Sequence, residues 1–232
     1  MSGTNKVIGQ KNNGQRKRLE QALVGLGLSI NEQQTNQMLN LIQELMRWNK
    51  TYNLTAIRDS DQALVHHLFD SLSVVKPLSD YLNEIRHESP RIMDVGSGAG
   101  FPGVVLAIAL PNARVTCVDA VEKKISFIRQ MKGLLGLENL DGVHARVEDM
   151  ETHPSQVIVS RAFASMKDFV RLAGKHLART GKMVAMKGKA PVEEMDELSK
   201  EENWIIHKTV SLKVPELQAE RCLVWIEKKG NT

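Results

Sequence analysis

The stretch "RIMDVGSGAGFPG", residues 91–103, places a group of glycines directly behind an apolar run. The glycines of this loop are Gly96, Gly98, Gly100 and Gly103. Glycine lets a backbone approach a ligand closely and adopts conformations that other residues avoid. Asp94 precedes the first glycine, and Asp119 ends the next apolar run, where a carboxylate can accept hydrogen bonds from ribose hydroxyls. The pattern therefore predicts a site for a nucleoside-containing cofactor.

Two cofactor classes fit this loop. Gly98, Gly100 and Gly103 satisfy the G-x-G-x-x-G fingerprint of dinucleotide-binding enzymes, whereas D-x-G-x-G-x-G from Asp94 is typical of adenosylmethionine-dependent methyltransferases. Asp94 suits the cationic amino-acid end of adenosylmethionine better than a pyrophosphate. Pro102 also removes an N–H from the helix start, where a pyrophosphate needs donors. The sequence favours adenosylmethionine, with an NAD-type cofactor and a purely structural turn as the alternatives.

Two cations, Arg161 and Lys187, follow later apolar runs and are the candidate catalytic residues. The carboxyl ends of parallel strands meet at one edge, so both side chains are predicted to face the same cleft. Neither cysteine follows a proline, as the attacking thiol of cytosine-C5 methyltransferases does. The residues "SRAF" stand where methylases of exocyclic amines carry Asn/Asp-Pro-Pro-aromatic. A ring nitrogen or a ribose hydroxyl is therefore the expected methyl acceptor. His66 and Asp70 have i, i+4 spacing, but no third ligand is apparent, and we expect no metal.

The elements that must position these residues alternate in type after Pro90. Strands are predicted at 91–95, 114–119, 141–145, 157–160 and 182–187, with helices from about 103, 122, 165 and 192. Strand–helix alternation predicts an α/β, mostly parallel, doubly wound sheet. Two late strands, at 204–212 and 221–227, are joined by a link too short for a crossover helix, so one should run antiparallel.

Residues 15–88 are predicted to form an N-terminal helical cap, ahead of a domain at 89–232. "SINE", residues 29–32, is a capping-box pattern for the second helix, and Asp59 or Ser60 can cap a third that ends near Pro77. A polar loop is expected at 49–59. Residues 1–14 lack periodicity and are expected to be a disordered basic arm.

Composition is that of an ordinary globular protein: 42% of the 232 residues are apolar and 25% are charged. No apolar stretch is long enough for a membrane span. Cys117 and Cys222 lie in apolar runs and are expected to be buried thiols in a reducing cytoplasm. The net charge of +4 belongs to the first 30 residues, which suits a polyanionic partner. The basic residues there are Lys6, Lys11, Arg16, Lys17 and Arg18.

A family resemblance becomes specific when several motifs are taken together and in order. These are "WNKTYNLT", "HLFDSL", "RIMDVGSGAGFPGVVLAI", "VSRAFAS" and "MKG". The set resembles the guanine-N7 methyltransferase family of small-subunit ribosomal RNA, also called glucose-inhibited division protein B, from about Leu19 to Lys228. The basic arm before Arg16 falls outside the family pattern.

The resemblance implies a class I methyltransferase fold, S-adenosyl-L-methionine as cofactor and N7 of one guanine in the decoding-region loop of 16S ribosomal RNA as acceptor. It implies cofactor contacts by Gly96, Phe101, Val147 and Glu148, with Arg161 at the methyl-transfer cleft. Together with the loop residues, the predicted cofactor set is Asp94, Gly96, Gly98, Gly100, Phe101, Asp119, Val147, Glu148 and Arg161. The predicted RNA-side set is Asn53, Arg58, His67, Arg16, Lys17 and Arg18.

The expected partner is 16S ribosomal RNA, the small ribosomal subunit or an assembly intermediate of it. The protein itself is expected to be a cytoplasmic monomer. A different class of protein, a non-catalytic RNA-binding module, remains an alternative. The intact glycine loop and Asp119 argue against that alternative.

Overall fold

Seven apolar runs form strands in the computed structural model, which describes residues 2–161, 163 and 165–230, with side chains from residue 13 onward. The strands are β1 (Arg91–Val95), β2 (Arg114–Asp119), β3 (Leu140–His144), β4 (Ser155–Ser160), β5 (Leu177–Lys187), β6 (Trp204–Leu212) and β7 (Arg221–Lys228). They form one sheet in the order β3-β2-β1-β4-β5-β7-β6. The first five pair in parallel, and β7 is antiparallel to both of its neighbours. The predicted mostly parallel seven-stranded sheet is confirmed.

Helices cover both faces of this sheet. Those within the α/β region are α6 (Gly103–Ala109), α7 (Glu122–Leu135), α8 (Met166–Ala173) and α9 (Val192–Ser199). Alternate strand residues point to opposite faces, as Val157 and Val159 join one hydrophobic core while Ile158 joins the other. Helices α6 and α7 contribute to the first core, and α8 and α9 contribute to the second.

The N-terminal helices pack on the first face and share its core. They are α1 (Ser2–Gly25), α2 (Glu32–Tyr52), α3 (Ser60–Ala63), a π-helical segment (Leu64–Phe69), α4 (Asp70–Leu72) and α5 (Val75–Glu84). Met38 and Phe69 are fully buried in the same cluster as Val104 of α6 and Val159 of β4. The predicted cap is therefore continuous with the layer of helices on this face.

Two expectations for the N-terminal region were wrong. The backbone of residues 2–14 is part of α1 rather than a disordered arm, because the segment contains no proline and continues a helix whose far end is buried through Leu19 and Leu23. The capping box of α2 is formed by Asn31 and Gln34, each of which accepts a backbone hydrogen bond of 2.9 Å from the other. It does not begin at Ser29, because Asn31 is the extended residue directly before the helix.

The third helical stretch is interrupted rather than continuous. Asp59 caps it as predicted, accepting hydrogen bonds from the N–H groups of residues 61 and 62. Pro77 does not end it but lies in the first turn of α5, where a missing N–H costs no helical hydrogen bond. Helix α2 continues to Tyr52, so the polar loop starts at Asn53, which has the left-handed φ of 49° that ends helices.

Candidate cofactor cleft and reaction site

The glycine loop connects β1 to α6 at the carboxyl edge of the sheet. Gly96, Gly98 and Gly100 have φ values of 67°, 58° and 87°, which side chains on L-residues disfavour. Gly103 is required for a different reason, since a Cβ there would lie 2.2 Å from the Sγ of Cys117 on β2. Three glycines therefore adopt loop conformations that other residues disfavour, and Gly103 allows α6 to pack against β2, whereas close approach to a ligand stays a prediction.

Asp94 lies at the base of the loop and is fully buried. Its Oδ2 accepts a 2.7 Å hydrogen bond from the N–H of Gly103. Among the described residues its buried Oδ1 has no hydrogen-bond partner. Burial raises the pKa of Asp94 to about 7, although the Gly103 N–H and the positive charge of Arg161 oppose the shift. A cation brought to Oδ1 would therefore stabilise the charged form of this carboxyl group.

Asp119 ends β2 and holds the glycine loop against it. Its two carboxylate oxygens accept hydrogen bonds from the N–H groups of Gly98 (2.8 Å) and Val121 (2.9 Å). The predicted ribose contact would have to share these oxygens, so that role stays a prediction. The bracing of the loop by Asp119 is a function that the sequence did not reveal.

A cavity of about 260 Å³ opens between the ends of β1 and β2 and the residues after β3. Its lining includes Gly96, Asp119, Val147 and Glu148, four of the predicted cofactor residues, together with Phe163 and Leu172. Val147 and Glu148 lie in the 3₁₀ turn Val147–Asp149, where the Val147 side chain is buried. The structure thus brings the predicted nucleoside side of the site together.

His176 holds the Val147–Asp149 turn in place through a hydrogen bond, a role that the sequence did not predict. The imidazole is fully buried, and its Nδ1 accepts a 3.1 Å hydrogen bond from the N–H of His153. Its Nε2 must then carry the proton, which it donates to the carbonyl of Val147 at 2.9 Å. Burial lowers the pKa of His176, which keeps the ring in this neutral form.

Arg161 follows β4 and reaches across to the N-terminal helices. Its NH1 group donates to the carbonyl of His66 at 3.1 Å and to Oδ2 of Asp70 at 3.0 Å. Asp70 is 2% exposed, and its Oδ1 accepts a 2.9 Å hydrogen bond from Nε of Arg221 on β7. Asp70 therefore pairs with two arginines. One carboxylate between two guanidinium groups leaves this cluster with a net positive charge.

His67 lies between the arginine cluster and the glycine loop. Its ring stacks on Phe101, with 5.0 Å between centroids, and its Nδ1 lies 3.5 Å from NH2 of Arg161. Because Arg161 can only donate, Nε2 carries the proton and donates to Oγ1 of Thr55 at 2.9 Å. Burial and the charge of Arg161 lower the pKa of His67 to about 4. The ring is therefore neutral at physiological pH.

Lys187, the other candidate catalytic cation, ends β5 and pairs with a carboxylate of α9. Its Nζ donates to the carbonyl of Phe163 at 3.0 Å and to both oxygens of Glu194 on α9, at 2.8 and 3.1 Å. Glu194 also accepts from the N–H of Met166 at the start of α8. These contacts anchor the segment that follows Arg161. Ala162 and Ala164 of that motif lie outside the described residues.

The predicted RNA-side residues have different local partners. Arg58 donates to Oδ1 of Asn53 at 2.6 Å and to the carbonyl of Asn49 at 3.0 Å, so these residues form the loop after α2. Arg18 bridges α1 to Asp61 of α3 (3.0 Å) and to Glu216 (2.6 Å) in the link between β6 and β7.

The other basic residues of α1 are less constrained. Arg16 contacts Asn36 and lies 3.8 Å from Glu20, while Lys17 is exposed. The side chains of Lys6 and Lys11 lie outside the described part of the chain. Arg18 thus has a structural role, whereas RNA contact by Arg16 and Lys17 stays a prediction.

Three further sequence expectations concern the thiols, metals and membranes. Cys117 and Cys222 are buried and free, and burial raises the pKa of both thiols. Within residues 13–161, 163 and 165–230, no group of three or more His, Cys, Asp or Glu side chains could hold a metal ion. None of the described helices is long and apolar enough to cross a membrane.

Among solved structures, the chain is similar to a ribosomal protein L11 methylase from Lactobacillus delbrueckii subsp. bulgaricus. The two are 14% identical, with a TM-score of 0.51 over 69% of this chain and 77% of that chain. At that identity the likeness shows the fold alone, which is the expected class I methyltransferase fold.

Curated relatives are far more similar in sequence. Two of them, both described as ribosomal RNA small subunit methyltransferase G, come from Bordetella pertussis and Bordetella petrii. The first is 50% identical over 94% of this chain and 96% of its own length. The second is 49% identical over 93% of this chain and 84% of its own length. A family model described as GidB, rRNA small subunit methyltransferase G, matches residues 34–224. The chain therefore belongs to the rRNA small subunit methyltransferase G family, which the glycine loop and its companion motifs predicted.

Proposed function

We propose that this protein transfers a methyl group from S-adenosyl-L-methionine to N7 of one guanine in the decoding-region loop of 16S ribosomal RNA. The observation that carries the proposal is the family match over residues 34–224. It favours the methyltransferase interpretation of the glycine loop over the NAD-type one. The reaction takes place in the cytoplasm, and we keep the monomer as the acting species.

The residues of the cleft fit this cofactor. The buried Oδ1 of Asp94, which has no partner among the described residues, suits the cationic amino-acid end, and we assign the ribose to the part of the cavity that Asp119 lines. The cavity wall formed by Val147 and Leu172 offers an apolar surface for the adenine, with Glu148 at its rim. When bound, the cofactor supplies a methyl group on a positively charged sulfur.

The chain's own residues position the acceptor rather than activate it. N7 of guanine carries an in-plane lone pair, so no base has to remove a proton before the transfer. The site agrees with this requirement, because His67 has both ring nitrogens engaged and Asp70 is held by two arginines. Alignment of the two reactants alone can contribute about 7–11 kcal/mol to lowering the barrier.

Arg161 is the stronger candidate for the cation that meets the RNA. The Arg161–Asp70–Arg221 cluster retains a positive charge, whereas Lys187 is balanced by Glu194. A guanidinium can donate to guanine O6 or to a phosphate while leaving N7 open for the methyl group. Lys187 then acts by anchoring the segment between β4 and α8.

Primer extension after borohydride and aniline cleavage of 16S RNA tests the proposal. RNA from a strain that lacks this gene should lose the stop at one guanine of the decoding region, and a plasmid copy should restore it. An unchanged pattern would overturn the assignment. Offering protein-free RNA, 30S particles and assembly intermediates to the purified protein then identifies the physical form of the substrate.

A ligand comparison tests the cofactor separately. Adenosylhomocysteine should raise the melting temperature and NAD should not, since a ligand that binds only the native state stabilises it by about 2.7 kcal/mol at a hundredfold excess over its Kd. Stabilisation by NAD alone would favour the dinucleotide-binding alternative. RNA binding without methyl transfer would favour a non-catalytic module.

A further inference from the structure

A groove on the second face of the sheet carries a strong positive charge that the reaction site does not use. It lies between α8 with its following turn on one side and the end of β7 on the other, and it encloses about 500 Å³. Five cations line it: Lys167, Arg171, Lys175, Lys228 and Lys229. Among the described residues that line this basic groove, Glu201 is the one acid.

One wall of the groove is a regular row of cations. Lys167, Arg171 and Lys175 are spaced by four residues along α8 and the turn after it, so they lie on one side of the helix. All three are exposed. Nearby carboxylates balance only part of this positive charge. Lys167 pairs with Glu201 at 2.8 Å and Arg171 pairs with Asp168 at 2.9 Å, both at the surface. Exposed pairs of this kind are weak and can exchange partners.

The floor of the groove is rigid. Trp204 begins β6 and is 9% exposed, and the ammonium of Lys228 lies 5.6 Å from its ring centroid. The ring packs directly on Gly174, where a Cβ would lie 2.5 Å from the indole. The start of β6 therefore packs directly on the turn after α8, which sets the backbone positions of the two walls.

The groove and the cofactor cavity lie on two sides of α8. Leu172 of α8 lines the cofactor cavity, while Arg171 and Val170 line the groove, so one helix separates the two. Lys175 donates a 2.6 Å hydrogen bond to the carbonyl of Glu148, at the rim of the cofactor cavity. Lys167 follows Arg161 by only six residues. Because β7 is antiparallel to β5, Lys228 lies at the amino ends of the parallel strands and Arg221 at their carboxyl ends, so the groove leads away from the reaction site along α8.

We propose that the basic groove binds the phosphodiester backbone of the ribosomal RNA beyond the target guanine. This inference rests on the proposed function for the identity of the polyanion. The match is one of charge, because each nucleotide brings one negative charge and surface lysines and arginines bind phosphates without reading sequence. The groove thus supplies affinity, whereas the Arg161 cluster supplies the position of the reacting base.

The test uses a double variant, Arg171→Gln with Lys229→Gln, in the full chain. Both side chains are exposed, and neither contacts the cofactor cavity. The matched control is Lys76→Gln with Lys132→Gln, which removes two cations that also pair with surface carboxylates, at 3.1 and 2.6 Å, from helices on the other face. Thermal unfolding checks that both variants fold.

Binding of a decoding-region 16S fragment is measured across a salt series, and methylation is measured in single turnovers at saturating RNA. The groove variant should lose about tenfold in affinity at 0.1 M salt, and its log–log salt slope should fall by about one per cation removed. Cofactor affinity and turnover at saturation should stay unchanged, and the control should bind like the original protein. A second measurement needs no variant, because bound RNA should protect Lys167 and Lys229 from acetylation but not Lys76.

The RNA site would be overturned if the groove variant and the control had equal RNA affinities and equal salt slopes. It would also be overturned if bound RNA did not protect Lys167 and Lys229 from acetylation, and the groove would then serve another partner such as a protein or a membrane. A loss of turnover at saturating RNA would also overturn it, since the groove would then belong to the reaction site. Failure of the unmodified protein to bind or methylate the RNA is a distinct result and contradicts the proposed function itself.

Discussion

The imidazole of His67 stacks on the phenyl ring of Phe101 with 5.0 Å between the ring centroids and 23° between the planes. His67 belongs to the N-terminal helices and Phe101 to the glycine loop, so this contact joins the expected RNA side of the cleft to the cofactor side. Arg161 approaches the same imidazole. Displacing the ring would therefore disturb both sides at once.

His67 gives the stability of the fold a defined pH dependence. Its pKa is lowered to about 4 in the folded protein, mainly by burial, against about 6.5 when unfolded. As the pH falls from 6.5 towards 4, the unfolded chain takes up a proton that the folded chain does not, so stability is lost in that window. Urea unfolding at pH 7 and pH 5 should show a decrease of up to about 2 kcal/mol from this residue. The variant His67→Gln should lack that part of the decrease, and equal decreases in both proteins would contradict the assignment.

Asp94 should couple cofactor binding to pH. Its folded pKa of about 7 means that the carboxyl is largely protonated in slightly acidic solution, and a cationic ligand at Oδ1 favours the charged form. Affinity for adenosylmethionine should therefore rise by up to about tenfold per pH unit below 7 and level off above it.

Calorimetry in buffers of different ionisation enthalpy measures the proton released on binding. Asp94→Asn should bind more weakly, with a flat pH profile and without this proton release. A flat profile in the unmodified protein would show that Asp94 does not change charge when the cofactor binds.

Gly98→Val should abolish measurable cofactor binding. A Cβ at this position meets no atom within 4 Å, so the obstacle is the φ of 58°, which a β-branched residue resists, together with the space left for the ligand. Gly136→Val is the control, because Gly136 has a φ of 65° and equally open surroundings at the end of α7. Both variants should lose similar stability, but only Gly98→Val should lose cofactor affinity by calorimetry. Equal affinities in the two folded variants would contradict a role for the loop.

Arg161→Ala should reduce single-turnover methylation at saturating RNA by about 10²–10³-fold, the usual effect of losing a charged group at a reacting centre. RNA affinity should fall far less. The variant also leaves the buried carboxylate of Asp70 with Arg221 as its remaining arginine partner, which should lower the free energy of unfolding.

The single variant Asp70→Asn separates the two effects. It should also lower the free energy of unfolding, because Arg161 and Arg221 lose the carboxylate that they share, but it should retain more turnover because the Arg161 guanidinium is still present. A loss of turnover as large as that of Arg161→Ala would show that Arg161 acts only through the structure of the cluster.

Much of the sheet could be predicted because local patterns determine it. The bounds of β1, β2 and β6 agree with the predicted ones, and Asp59 caps its helix as expected. The errors lie where tertiary contacts compete with local signals. Ser29 and Asn31 are both good capping residues, and the backbone geometry selected Asn31.

The backbone motifs of the candidate site could be recognised from the sequence, but the ion-pair partners of its charged side chains could not. The glycine loop and Val147 could be recognised from motifs, whereas the partners of each cation lie far away in the chain. Asp70 is 91 residues from Arg161 and 151 residues from Arg221. No local pattern indicates such pairs, and the bond between Lys187 and Glu194 likewise depends on how α9 packs.

The position of β7 has a consequence for how the chain folds during synthesis. This strand leaves the ribosome after the other six, yet it pairs with β5 on one side and β6 on the other. Until it emerges, the edge of β5 is unpaired and Leu223, Trp225 and Ile226 are missing from the two cores. A nascent chain therefore exposes this unpaired strand edge from the emergence of β5 until β7 follows, which is a hazard for aggregation. Slow translation just before β7 should make this protein depend on chaperones.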